Sequence, residues 1–492
     1  MSEKLFTVKM NNFKQALGDN PDVIMRRFLV GGKKSAAIFF IEGLVNKEIM
    51  AKNIIEPLLD ESAGRADSLE SLEKKIISVS NVKKESDLAT LIDNFFAGLV
   101  IVFFDGYQKA LVIDIIQWEQ RGISEPKTDV VVRGPREGFC ETLRINMTLL
   151  RRKIHHPGLT FEIQKYGRYS NTEVAVVYIK GIVNRDVLRK LNKRLKRIDI
   201  DAILDSAYIE QLVRDHPISP FPTISSTEKP DIVAARLLEG RVGILVDGTP
   251  IALVVPMLFV EGFQVSEDYY DNFYYTSFMR IIRYTSFFVT VLLPGFFIAI
   301  TSYHQNLIPD KLLITMIAAE KNTPFSIGLG VFIMGMTYEL LREAGLRLPK
   351  PMGQAVSIVG AIVLGDAAVS AGLISASVLI IVAVTVVASF VNIPFFGTDT
   401  ILRLIFLFAG WSMGSLGVLI VFIFVVIYLA SMKSFGIPYL SPILPVDFSG
   451  LKDTVVRAPI WSMENRPKGL SKNRRRIAPW SKPFWQQDQE ED

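Results

Sequence analysis

Apolar positions follow two different patterns along this chain. Before about residue 283 they come in short runs separated by charged stretches; from 284 to 430 they are nearly continuous. In the first part, residues 36–41 and 174–179 are apolar runs of strand length. Residues 48–60 and 186–198 are charged, with apolar positions at helical spacing. Asp105-Gly106 and Asp247-Gly248 each sit between apolar runs, the pattern of a tight hairpin turn. The stretches 69–77 and 201–213 read as helices covering one sheet face. The expectation is a soluble α/β region built on small mixed sheets, followed by an all-α, multi-span membrane domain.

The soluble part repeats itself. Residues 39–49, F-F-I-E-G-L-V-N-K-E-I, recur as V-Y-I-K-G-I-V-N-R-D-V at 177–187, an offset of 138. Residues 98–107, G-L-V-I-V-F-F-D-G-Y, recur as G-R-V-G-I-L-V-D-G-T at 240–249, an offset of 142. Two matches at nearly equal spacing predict two duplicated subdomains, with limits near 1–145 and 146–270. A membrane domain over 271–435 and a flexible basic, then acidic, cytoplasmic tail over 436–492 complete the expected order.

The membrane part opens with residues 284–303, a stretch of 20 residues without a charge. Arg280 and Arg283 precede it and place its start in the cytoplasm, and Pro294-Gly295 predicts a kink. Residues 404–430 form a second clear span. Residues 355–390 contain one charge, Asp366, and are long enough for two short spans broken near 372–377. Residues 325–350 carry Glu339, Arg342, Arg347 and Lys350. They read as a re-entrant or interfacial element, which leaves about four spans. The even count keeps the tail, with six Lys/Arg and no acid over 466–476, in the cytoplasm beside the N-terminal region.

An ionisable group inside a bilayer is a functional candidate, and Asp366 is the first. Gly360, Gly365 and Ser370 lie around it, small residues that let helices approach closely or leave room for water. Plain helix packing and a pore-lining helix in a ring of subunits both fit; in the second case Asp366 favours cations.

Chemistry of other kinds finds little support. The chain has one cysteine (Cys140) and four histidines, which excludes an internal disulfide and a cysteine-based zinc site. A membrane-tethered enzyme would need a catalytic constellation in residues 30–260, and that stretch has no G-x-S-x-G, P-loop, H-E-x-x-H or Cys–His pair, so the reading is not an enzyme, with no cofactor and no metal. Residues 133–197 hold 16 Lys/Arg against 5 Asp/Glu. Beside a membrane segment this points to anionic lipid or a subunit interface and to no nucleic acid.

Several strings then stand in order: R-G-P-R-E-G-F (133–139), R-I-N-M-T-L-L-R-R-K (144–153), L-V-D-G-T-P (245–250), E-D-Y-Y (267–270), L-R-E-A-G-L-R-L-P (341–349), G-Q-A-V-S-I-V-G (353–360) and D-A-A-V-S-A-G-L (366–373). Together they resemble the A subunit of the GerA family of spore germination receptors. The resemblance implies a multi-pass protein of the spore inner membrane that acts with a transporter-like B subunit and a C subunit lipoprotein. It implies sensing of small nutrients, with the nutrient on the B subunit. It also implies a homo-oligomer, a pentamer, forming a germinant-gated channel for monovalent cations.

Two clusters in these strings are expected to couple sensing to a gate or to form an interface. Arg133, Arg136 and Glu137 read as a charged turn between the subdomains. Glu267, Asp268, Tyr269 and Tyr270 read as the elbow between soluble region and membrane. Arg342 and Glu343 are the third candidate of this kind. The alternatives are a membrane scaffold or signalling subunit without its own pore, and a secondary transporter. The transporter predicts inverted repeats among the spans, and none is visible.

Overall fold

The computed structural model describes residues 2–477 except 19, 67, 118–125, 127–128, 130, 322, 349–364 and 474. Its N-terminal half contains two five-stranded sheets of identical topology. The first is β1 (Val23–Val30), β2 (Lys34–Ile41), β3 (Val82–Glu85), β4 (Val100–Phe104) and β5 (Ala110–Ile113), in spatial order β1-β2-β4-β5-β3. The second is β6 (Leu159–Tyr166), β7 (Thr172–Ile179), β8 (Ser225–Thr227), β9 (Val242–Val246) and β10 (Ala252–Val255), in order β6-β7-β9-β10-β8. Every pairing is antiparallel, so the expected mixed sheets are corrected to antiparallel ones. The internal repeat is thus a repeat of topology. Gly106 and Gly248 hold φ of +87° and +89° in the β4–β5 and β9–β10 turns, the left-handed region open to glycine.

Helices cover both faces of each sheet. In the second unit, Val174, Val176 and Tyr178 face α4 (Arg185–Leu195), while Ala175, Val177 and Ile179 face α3 (Leu143–Lys153) and α5 (Pro230–Leu238). The alternation is the two-residue period of a strand buried on both sides. In the first unit α1 (Ser2–Leu17) and α2 (Leu88–Phe96) take the place of α3 and α5.

The C-terminal half is helical. Among the described residues, two helices are long and apolar enough to cross a membrane: α6 (Phe273–Tyr303) and α9 (Phe396–Ser431). Between them lie α7 (Ile327–Arg347) and the shorter α8 (Ala376–Ser389). Pro294 lies inside α6 without ending it.

The 404–430 stretch, expected as one span, is part of a hairpin. Gly414 takes φ +63° and ψ −145° inside α9. Thr398 Oγ1 donates to Pro220 O at 2.6 Å, and the Tyr428 ring lies 6.4 Å from that of Phe221. A straight helix would hold Thr398 and Tyr428 about 45 Å apart. The chain therefore runs away from the sheets, turns at Gly414 and returns, in two arms of about 26 Å each.

The other helices alternate in the same way. The far end of α6 meets the bend, where the Tyr303 hydroxyl donates to Trp411 O at 2.7 Å. Helix α7 begins there, with Gly328 against the Trp411 ring. It returns until the Arg342 guanidinium lies 4.1 Å over Phe396. Residues 325–350, expected as a re-entrant or interfacial element, thus include a continuous 21-residue helix packed along its neighbours. Helix α8 starts beside Gly330 and leads to Asn392, whose Nδ2 donates to Arg283 O at 2.9 Å.

The described residues of the 436–492 tail, expected to be flexible, are packed together with Phe435 onto the second sheet unit. Phe435, Ile437 and Leu470 join its core, and Tyr439 is wholly buried. Their apolar side chains are too widely spaced to form a core alone, so the pattern along the chain does not reveal the packing.

Candidate functional site

The strongest concentration of buried charge lies where the second sheet unit meets α6. Asp268, from the E-D-Y-Y string, is the centre. It is 2% exposed and accepts from Arg280 Nε at 2.8 Å and from Arg283 Nη1 at 2.9 Å. Arg280 is completely buried and reaches a second carboxylate, Asp453 of the C-terminal segment, at 2.7 Å. The Tyr269 hydroxyl donates to the same carboxylate at 2.7 Å. Burial, and then the Asp453 charge, hold that hydroxyl well above its ordinary pKa.

The two arginines that precede the uncharged stretch of α6 are therefore not free surface charges. They tie α6 to the elbow, and through Asp453 to the last packed segment. Removing one partner of such a buried pair leaves an uncompensated charge, so the arrangement is stiff to small displacements.

The network continues behind the elbow. Glu267 accepts from the backbone N–H groups of Val132 and Arg133, and Arg133 Nη1 lies 3.4 Å from Asp271. The Tyr270 hydroxyl donates to Asp231 at 2.8 Å. A Cβ on Gly134 would sit 2.6 Å from the Tyr270 ring, so this glycine permits the contact. Fully buried Lys229 donates to Ser266 at 2.9 Å. Glu239 is shared by Arg236 at 3.3 Å and Arg241 at 3.1 Å, and Arg241 pairs with Glu261 at 2.5 Å. Burial alone would raise the Glu239 carboxyl, and Arg236 and Arg241 more than reverse it.

Two groups of residues singled out in the sequence are thereby brought together. Arg133 joins the elbow 267–270, over more than a hundred residues of chain. Glu137 instead turns to α3, pairing with Arg152 at 3.1 Å and Lys153 at 3.0 Å, and Arg136 is exposed in the same loop. The contact between the two sheet units rests on a pair absent from the sequence reading. Arg151 donates to Asp22 through Nε at 2.9 Å and Nη2 at 3.1 Å, between the rings of Phe96 and Phe161. Asp453 and Asp231 were also invisible, because Arg280, Tyr269 and Tyr270 are remote from them in sequence; Glu239 has its arginines close by, and only its burial was hidden. For Arg280 and Arg283 the available signal was their place directly before the uncharged stretch 284–303.

In the helical half, Arg342 pairs with Glu339 at 2.6 Å, and Glu339 also holds Arg403 of α9. Glu343 is exposed and pairs with Arg347 at 2.6 Å. Gly365, Asp366 and Ser370 lie on the short helix Gly365–Ser370. Gly365 is buried against Leu379, whereas Asp366 and Ser370, one turn apart, are exposed. No ion pair to Asp366 exists among the described residues. Gly360 lies outside the described residues. No cluster of metal-ligating side chains occurs among the described residues.

Fold and junction together define a duplicated α/β platform locked by buried ion pairs to a bundle with apolar, membrane-length helices. The chain belongs to the Bacillus/Clostridium GerA spore germination protein family, whose model matches residues 11–469. Spore germination protein KA of Bacillus subtilis is 41% identical over 93% of this chain and 85% of its own length. The membrane protein YfkQ of the same organism is 39% identical over 92% of this chain and 88% of its own length. Spore germination protein GerLA of Bacillus cereus is 36% identical, over 96% and 97%. The crystal structure of the N-terminal domain of the A subunit of the Bacillus megaterium spore germinant receptor GerK3 aligns with TM-score 0.42 and 34% identity. It covers 51% of this chain and 95% of that one.

Proposed function

We propose that this chain is the A subunit of a nutrient-responsive spore germination receptor. It acts with a transporter-like B subunit and a C subunit lipoprotein, and copies of it assemble around a cation-conducting axis in the spore inner membrane. In this reading the platform and the C-terminal segment stay on the cytoplasmic side. The helices α6, α7, α8 and both arms of α9 cross or enter the bilayer. Nutrient binding on a partner subunit reaches the helices through the junction at Asp268, Arg280 and Asp453.

One observation supports the channel over a scaffold without a pore. Glu339 and Arg403 neutralise each other within one protomer, whereas Asp366 sits on an exposed helix face with Ser370 one turn away. A carboxylate facing lipid is expensive, so a wet axis shared with other copies is the natural setting for this face. The small residues nearby suit close packing between helices.

The test is a flux assay on the assembled receptor, with partner subunits, in liposomes loaded with potassium and sodium. On addition of nutrient mixtures the wild type releases cations. Asp366→Asn is expected to lower or alter the selectivity of that release while cross-linked assemblies stay intact. Unaltered flux in the variant would remove Asp366 from any conduit and leave the scaffold reading.

A further inference from the structure

A cavity of about 280 Å³ lies between α6, α7, α8 and the outgoing arm of α9. Its wall is almost entirely aliphatic and aromatic, and the hydroxyls on it are already used. Thr385 Oγ1 donates to Ile381 O at 2.7 Å, and Thr400 Oγ1 donates to Phe396 O at 3.2 Å. The only charges on the wall are Glu339 and Arg403, bonded to each other, with Arg342 on the far side of the same carboxylate.

Gly335 makes this space more than a packing fault. Glycine inside a helix is destabilising relative to alanine and usually has a packing reason. Gly295, Gly328 and Gly410 of this bundle have one. A Cβ on Gly295 would meet Phe406 O at 2.3 Å, one on Gly410 would meet Gly295 O at 2.2 Å, and one on Gly328 would meet Trp411 at 2.9 Å. A Cβ on Gly335 would meet nothing within 4 Å. Gly335 lines the cavity, and the missing side chain leaves the space open where helix stability and packing would both accept a larger residue.

We infer that this cavity is a binding site for a small aliphatic amphiphile with one uncharged hydroxyl. The chain lies along the apolar wall and the hydroxyl meets the Glu339–Arg403 pair. A void of about 150 Å³ lined by similar side chains takes up benzene, so this one accommodates an unbranched chain of roughly six to eight carbons. Apolar space of this kind is stabilised by contents that touch all its walls. A charged head is disfavoured. The ion pair is already neutral, and a carboxylate or ammonium would have to break it and strand a buried charge. The site is independent of the channel reading, because its walls all come from one chain and involve no pore.

The experiment uses the full-length protein in phospholipid nanodiscs, photolabelled with a diazirine-bearing 1-octanol, with adducts mapped by mass spectrometry. Labelling at Val331, Met336, Val382 and Leu407 is expected to saturate and to be displaced by excess 1-octanol. Gly335→Leu, which fills the space, is expected to lower that labelling about tenfold, equivalent to a tenfold weaker site, without lowering the thermal midpoint measured in the absence of probe. Gly335→Ala is expected to retain labelling. Two results overturn the inference. One is labelling of Gly335→Leu at the wild-type level. The other is wild-type labelling that neither saturates nor is displaced, as follows if a lipid chain holds the cavity or if the probe marks only the lipid-exposed arm of α9. Should the leucine variant fail to fold, displacement in the wild type decides alone.

Discussion

Arg151 shows how a single side chain changes meaning between sequence and structure. In the sequence it belongs to a basic stretch that reads as a face for anionic lipid or as a subunit interface. In the structure it is completely buried, bridging the two sheet units through Asp22 and sandwiched by Phe96 and Phe161. Arg151→Ala should cost about 3–5 kcal/mol, because Asp22 is then left buried without its partner; chemical denaturation of the full chain measures it. Arg152 and Lys153 beside it are held by Glu137, whereas Arg168, paired with Asp199 at 2.7 Å, stays exposed. The charge surplus was legible, its destination was not. Glu239 carries a pH dependence. Its folded carboxyl lies below the ordinary 4.5 because Arg236 and Arg241 outweigh burial. A depressed carboxyl stabilises the fold above the unfolded value and loses that contribution as pH falls through the folded one. Glu239→Gln should therefore be less stable than wild type at neutral pH, and the gap should close below about pH 4.5. A constant gap in thermal midpoint from pH 7 to pH 3 would contradict it.

At the scale of elements, the strands that sequence patterning found are the central ones, β2, β4, β7 and β9, together with the hairpin partners β5 and β10. The strands it missed are at the edges. β1 carries Arg26 and Arg27, and β3 reads V-K-K-E. Edge strands tolerate charge, which also blocks unwanted pairing, so they lack the apolar signature. The bend in α9 was missed for a related reason. Gly414 stands in an apolar run where glycine also serves helix packing, and nothing local separates a hinge from a close crossing. Gly414→Val should cost about 1–3 kcal/mol, since a branched residue does not accept φ +63° and its Cβ would press on the Tyr303 ring, 2.9 Å away. Spin labels at Gly397 and Ser431, which flank the two arms, give the readout. Wild type should show one short distance, and the variant a longer or broader distribution. An unchanged narrow distribution would mean the hairpin is set elsewhere.

At the scale of the whole molecule, the C-terminal segment acts as a strap. It leaves α9, contributes Phe435, Ile437 and Leu470 to the platform core, and places Asp453 against Arg280 and Tyr269. Asp453→Asn should weaken this closure by about 1–3 kcal/mol, a range discounted for partial exposure of the carboxylate. Proteolysis within residues 454–477 should then accelerate while the two sheet units remain resistant. Equal cleavage rates in wild type and variant would show that Asp453 does not hold the strap.

The linear pattern was sufficient for everything that depends on neighbours in sequence. It determined the duplicated α/β unit, because alternation and turn residues repeat at fixed offset. It determined the apolar helices, because length and composition are local properties, and it marked the elbow at 267–270. Tertiary structure alone decided which charges meet. Asp268, Arg280 and Asp453 span nearly two hundred residues, and Asp22 and Arg151 more than a hundred. It also decided that the last apolar helix doubles back and that a glycine in α7 faces open space. Burial and ion pairing depend on proximity in three dimensions, and a one-dimensional pattern records proximity only along the chain.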